Sequence, residues 1–314
     1  MNTLREELAH YVSARRTLGA SFDEPSLSLG HFVDFLESER AERITVDLAL
    51  RWAMQPIGVE RATWARRLSW VRGFARWMVA IDGQTEVPPD GLLSSRRRRS
   101  APHIYTEQEI VQLMLQASHL HSPTGMRSLT YGTLIGLLVS TGLRPSEAVS
   151  LDCQDVDLPN GILSIRNTKF GKSRFVPVHE STRIALAHYA RERDRICLHR
   201  ATDAFLVGEH GRRLDLGSAR YMFLKMSYAT GLRAIRPDGR SGYGPRLQDF
   251  RHTFATGRML QWYREGRDVA QELPKLATYL GHVNVSLTYW YVQAVPELLE
   301  LAAHYLGKSR SVGG

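Results

Sequence analysis

The sequence predicts a mainly α chain with a small β-sheet, an α+β class, in two domains. Three observations carry that expectation. Apolar residues recur at helical spacing through most of the chain, and only two short runs, Ile162 to Ile165 and Arg174 to Val178, read as strands. At about 100–200 residues per domain, 314 residues make two cores. A content of 43% hydrophobic and 23% charged residues belongs to a globular chain and excludes a disordered or fibrous one.

Residues 1–84 form the first domain, expected to be helical. Leu4, Leu8 and Tyr11 fall at helical spacing, as do Phe32, Phe35 and Leu36. From Glu60 to Met78, Trp64, Leu68, Val71, Ala75 and Met78 form one stripe, with Arg66, Trp70, Arg76 and Trp77 away from it. Two readings stay open: a helix covered on two faces with a solvated basic edge, or one presenting arginine and aromatic groups to a nucleic-acid backbone. Residues 85–102 read as a basic linker, punctuated by Pro88-Pro89 and Asp90-Gly91 and ending in Arg96-Arg97-Arg98-Arg99. Glu60 to Ser100 holds nine arginines against four acids, over half of the net charge of +9. Such a chain fits a polyanionic partner, nucleic acid first and an anionic membrane surface second. Arg66, Arg72, Arg76 and Arg96 to Arg99 are the candidates for that grip.

The second domain is expected over 103–314. Thr106 caps a helix with Glu109 at the reciprocal position. A helix from about Leu129 to Ser140 ends at Gly142, and Pro145 suits the first turn of the next. Phe170-Gly171 marks a hairpin between the two strands. Helical patterns follow at Ser181 to Arg191, Leu216 to Ala229, Asp249 to Glu265, Leu273 to Leu280 and Pro296 to Leu306.

Several chemistries are set aside. Two cysteines, Cys153 and Cys197, make neither a disulfide framework nor a Cys-rich zinc site. His119 and His121 lack a nearby carboxylate and read as loop. Gly242-Tyr243-Gly244 is not a phosphate-binding glycine loop. The charged, amphipathic start is no signal peptide, and the apolar run Leu134 to Val139 is a third of the roughly 18 residues of a membrane span. The expected compartment is a reducing cytoplasm, with no membrane partner.

Four segments carry chemistry. Thr141-Gly142-Leu143-Arg144-Pro145-Ser146-Glu147 places an arginine at a helix start, where backbone N–H groups favour anions. The segment 167–174 puts Lys169, Lys172 and Arg174 in a hairpin whose tip can reach into a groove. Leu247-Gln248-Asp249-Phe250-Arg251-His252 sets a second arginine early in a helix. Leu280-Gly281-His282 is followed nine residues later by Tyr291.

In that order and spacing the segments resemble the tyrosine recombinases, the phage-integrase-like family, over roughly residues 103–300. The resemblance implies a helical core-binding domain followed by a tyrosine-recombinase-type catalytic domain. It also implies six catalytic positions: Arg144, Lys169, Gln248, Arg251, His282 and Tyr291. Gln248 stands where the family usually has a histidine.

Strand exchange without an energy cofactor keeps the energy of the broken phosphodiester in a covalent 3′-phosphotyrosine, here on Tyr291. Arg144 and Arg251 would pair with the phosphoryl oxygens, Lys169 would protonate the leaving 5′-oxygen, and His282 would bind the phosphate or handle the phenolic proton. No metal or cofactor is implied. The expected partners are double-stranded DNA recombination sites and three further copies of the chain, monomeric in solution and tetrameric on DNA, with room for accessory proteins. The face Leu298, Leu301, Ala302, Tyr305 would dock on a neighbouring copy. Two alternatives are a type IB topoisomerase-like relaxing enzyme and a DNA-binding protein of the same fold with attenuated catalysis.

Overall fold

The computed structural model describes residues 3–20, 22–93, 101–166, 173–198, 200, 202–234, 244–282 and 284. The chain divides into two compact units, Met1–Ser100 and Ala101–Gly314.

The first unit packs α1 (Leu4–Thr17), α2 (Asp23–Ser38), α3 (Val46–Met54) and α4 (Arg61–Met78) around Leu29, Phe32, Leu36, Trp52, Leu68 and Phe74. Thr3 and Glu6 cap each other's backbone at the start of α1, and Thr45 caps α3. On α4, Leu68, Val71, Phe74, Ala75 and Met78 are buried. Trp64 instead stays half-buried and donates its indole N–H to the Pro56 carbonyl at 2.9 Å.

The second unit is built round α6 (Met126–Thr141), whose buried residues contribute Leu134, Ile135, Leu137 and Leu138 to the core. It packs against α5 (Glu107–Ser118), α8 (Glu180–Ile196) and α10 (Asp249–Arg264). The reciprocal cap of Thr106 and Glu109 opens α5 as expected. After the short α7 (Pro145–Ser150) comes an antiparallel sheet in the order β1 (Val156–Asp157), β2 (Ile162–Ile165), β3 (Arg174–Pro177). Leu163 faces Val176 and Ile165 faces Arg174 across the β2–β3 ladder. Alternation along β3 buries Val176 and exposes Phe175, so Arg174 shares the inward face. α9 (Leu216–Ala229) and α11 (Val269–Leu280) complete the unit.

Several elements differ from expectation, among them α6, which begins at Met126 rather than near Leu129. β1 adds a third strand. α8 runs on to Ile196, past Arg191. α11 begins at Val269 rather than Leu273, capped by the Asp268 side chain, and tolerates Pro274 in its interior. Its Val269, Leu273, Leu276 and Leu280 pack on Ala255 and Met259 of α10 in a small core of their own. The expected helix Pro296 to Leu306 lies outside the described residues. Among the described residues no helix is long and apolar enough to cross a membrane.

Candidate active site

The site grows from helix ends. α6 closes on Gly142, whose φ of 62° is the left-handed conformation and whose N–H donates to the Leu138 carbonyl. A Cβ at residue 142 would lie 2.6 Å from the Phe254 ring, so α10 approaches only because the residue is glycine. Two residues on, Arg144 caps α7 with extended backbone, and Pro145 takes the first helical position. The Arg144 backbone N–H donates to Glu147 Oε2 at 3.0 Å and its guanidinium to Glu147 Oε1 at 2.7 Å. Its side chain remains 31% exposed.

Glu147 is buried and accepts a second guanidinium. Arg174, at the start of β3, donates to Glu147 Oε1 at 3.1 Å and to Oε2 at 2.8 Å. Burial alone would raise the carboxyl pKa. The bonds from Arg174 and Arg144 overcome that and hold it down at about 2.

Arg251 lies in the first turn of α10 and is 1% exposed. Its NH1 donates to the Gly142 carbonyl at 3.0 Å and its NH2 to the Leu280 carbonyl at 2.5 Å. These carbonyls sit at the C-terminal ends of α6 and α11, where helix dipoles favour a cation. The next turn of chain after Leu280 is Gly281, left-handed at φ 69°, and then His282, whose N–H donates to the Ala277 carbonyl. Burial, followed by the charges of Arg251, Arg144 and Arg174, pushes the His282 imidazole down to about 4. His252 is pushed to about 4 as well, chiefly by burial.

Gln248 stands just before α10, half-buried, and its side chain makes no capping hydrogen bond. The helix entry is closed instead by Asp249, which accepts from the Arg246 backbone at 2.8 Å and from its guanidinium at 3.0 Å. Tyr105 anchors the same helix from the start of the unit. Its ring stacks on Phe250 at 4.3 Å, its N–H donates to the Thr253 hydroxyl, and its own hydroxyl donates to the Arg246 carbonyl.

Arg144, Arg251 and His282, drawn from three distant segments, therefore meet at one place. Lys169, Lys172, Tyr291 and Arg96 to Arg99 lie outside the described residues. Two expected surface cations are turned inward. Arg174 belongs to the site through Glu147, because β3 alternation points it at the core. Arg72 donates to the carbonyls of Pro88 at 2.6 Å and Pro89 at 2.8 Å and pairs with Asp90, leaving it 12% exposed. It fastens residues 88–90 to α4. Arg66 is 54% exposed, near Glu24 and over Trp70, and Arg76 is exposed beside Asp90. The role of Glu147 was not read from the sequence, although a glutamate three residues after a helix start is a capping signal.

A family model described as the phage integrase family matches residues 104–297. A Sinorhizobium fredii protein named as an integrase/recombinase, y4rB, is 40% identical over 310 residues, covering 98% of each chain. The tyrosine recombinase XerC of Chlamydia trachomatis serovar L2 is 29% identical over 239 residues, 76% of this chain and 69% of that one. Among solved structures, the Tn1549 transposon integrase in complex with transposon right end DNA superposes with a TM-score of 0.65 at 17% identity, covering 98% of this chain and 99% of that one.

Proposed function

The chain belongs to the phage integrase family and is a site-specific DNA recombinase, and from that premise we propose that it cuts and rejoins DNA through a covalent 3′-phosphotyrosine on Tyr291. One observation carries the assignment of the site: Arg144, Arg251 and Arg174 all lie close enough to His282 to act on its imidazole, and the carboxylate bonded there, Glu147, is shared by Arg144 and Arg174. The excess of positive charge suits a phosphodiester whose oxygens gain charge as it is attacked. Arg144, the more exposed arginine, pairs with the phosphoryl oxygens. Arg251 holds the ends of α6 and α11 together beside His282, and joins Arg144 on the phosphoryl oxygens.

His282 works as a neutral imidazole, since its pKa of about 4 leaves it uncharged near neutral pH. It can take the phenolic proton of Tyr291 or donate a hydrogen bond to phosphate. Lys169 protonates the leaving 5′-oxygen. Gln248 donates a hydrogen bond to phosphate but exchanges no proton near neutral pH.

The partners proposed are duplex recombination sites and, on them, a tetramer of this chain acting at the bacterial nucleoid in the cytoplasm. The relaxing-enzyme alternative finds no support among the relatives. Sequencing the DNA trapped covalently on the protein tests the proposal, because it reports site, polarity and nucleophile together. The adduct must vanish in Tyr291→Phe, and an adduct that survives there sinks the assignment.

A further inference from the structure

Arg174 is the arginine whose position departs furthest from its expected use. All three of its nitrogens are bonded to protein. NH1 and NH2 take the two oxygens of Glu147, and Nε donates to the Tyr279 carbonyl at 2.8 Å. A Cβ at residue 281 would lie 2.8 Å from NH1 and 3.0 Å from Cζ, so the end of α11 closes over the guanidinium only because Gly281 is glycine. One side chain on β3 thus touches the carboxylate that aims Arg144 and the helix end that carries His282.

We propose that Arg174 is a positioning residue, which neutralises Glu147 so that the carboxylate aims Arg144 without competing for its charge, and which fixes the α11 terminus beneath His282. The inference rests on the recombinase reading above. Its physical core is a balance of charge. A buried carboxylate facing Arg144 alone would hold that guanidinium as a closed ion pair and oppose an incoming phosphate. The two-bond fork from Arg174 satisfies both carboxylate oxygens at once, which a single ammonium cannot do. Arg144 then keeps one bond to Glu147 for direction and its net positive charge for substrate.

The test uses the full chain and a suicide duplex carrying the site recovered from Tyr291-trapped DNA. Two quantities are followed: the single-turnover adduct rate at saturating DNA, and the salt dependence of Kd. Arg174→Met is expected to slow adduct formation roughly 10- to 100-fold, the scale of a misplaced catalytic group, with Kd and its salt slope unchanged. Adding Glu147→Gln to Arg174→Met should recover part of the loss, because the uncompensated charge is gone. Arg174→Lys, which keeps the charge and loses the fork, should fall between.

An Arg174→Met chain that cleaves at the unmodified rate overturns the inference. So does a defect confined to Kd with the salt slope shortened by about one, the mark of an outer phosphate contact. So does a double variant no faster than Arg174→Met. If Arg174→Met fails to fold, the Lys variant decides, and an unchanged rate there overturns it. An unmodified chain that forms no Tyr291 adduct counts against the proposed function instead. The inference is then decided without DNA: Arg174→Met should shift the backbone amide resonances of both Glu147 and His282, and unmoved resonances overturn it.

Discussion

Arg251 reaches back 109 residues to donate to the Gly142 carbonyl at 3.0 Å, joining the turn that presents Arg144 to the helix that follows Gln248. With the bond to Leu280 it ties two helix ends through one buried guanidinium. Arg251→Lys cannot span both carbonyls. It should lower stability by roughly 1.5–3 kcal/mol, the range for a hydrogen bond to a charged group, and reduce the adduct rate further than the stability loss explains. Chemical denaturation and single-turnover cleavage measure the two effects; a variant of parental stability counts against the clasp.

The depressed imidazoles give a pH dependence of defined sign. His252 and His282 sit near 4 in the fold, below the ordinary histidine value, so the unfolded chain binds more protons between those limits. Their neutral form is accommodated at pH 7, and the fold loses stability as the pH drops from about 6.5 toward 4. The Glu147 contribution, present above the ordinary carboxylate range, is lost only below that, toward pH 2. Thermal midpoints of His252→Asn and His282→Asn should therefore fall less between pH 7 and 4 than those of the parent. Parallel curves would refute the assignment.

Gln248 occupies the position where a histidine was expected, with no capping duty to fulfil. Gln248→His should cleave a suicide substrate faster, since an imidazole adds proton exchange to the hydrogen bond. Equal or slower cleavage would remove Gln248 from the chemistry.

Arg66 and Arg72 lie six residues apart on α4, yet their environments separate them. Arg66→Ala should weaken DNA binding uniformly across sequences and shorten the salt slope by about one. Arg72→Ala should leave the slope unchanged and instead release residues 88–90, seen as faster proteolysis at that segment. Identical slopes for the two variants would contradict this division.

What the sequence conveys depends on whether a residue's environment is local. β2, the cap at Gly142 and the Thr106–Glu109 box were legible because each rests on neighbours within a few positions. β1 escaped notice because two residues cannot display alternation. The start of α11 was hidden because Pro274 reads as a breaker, while Asp268 caps the helix and the α10 surface buries it. Arg72 and Arg174 read as solvent-facing charge because their partners, Pro88 to Asp90 and Glu147, come from elsewhere in the fold. For Arg174 a local clue existed: it shares strand parity with Val176. Nothing local places Arg251 against both Gly142 and Leu280.

The same clasp bears on the order in which the chain is made. Arg251 draws one carbonyl from chain synthesised before it and one from chain synthesised after it. A nascent polypeptide that has emerged only as far as Arg264 holds Arg144 and Arg251 but has no α11 to seat the second. The seat of Arg251 is therefore complete only once residues some thirty positions beyond it have folded back as α11.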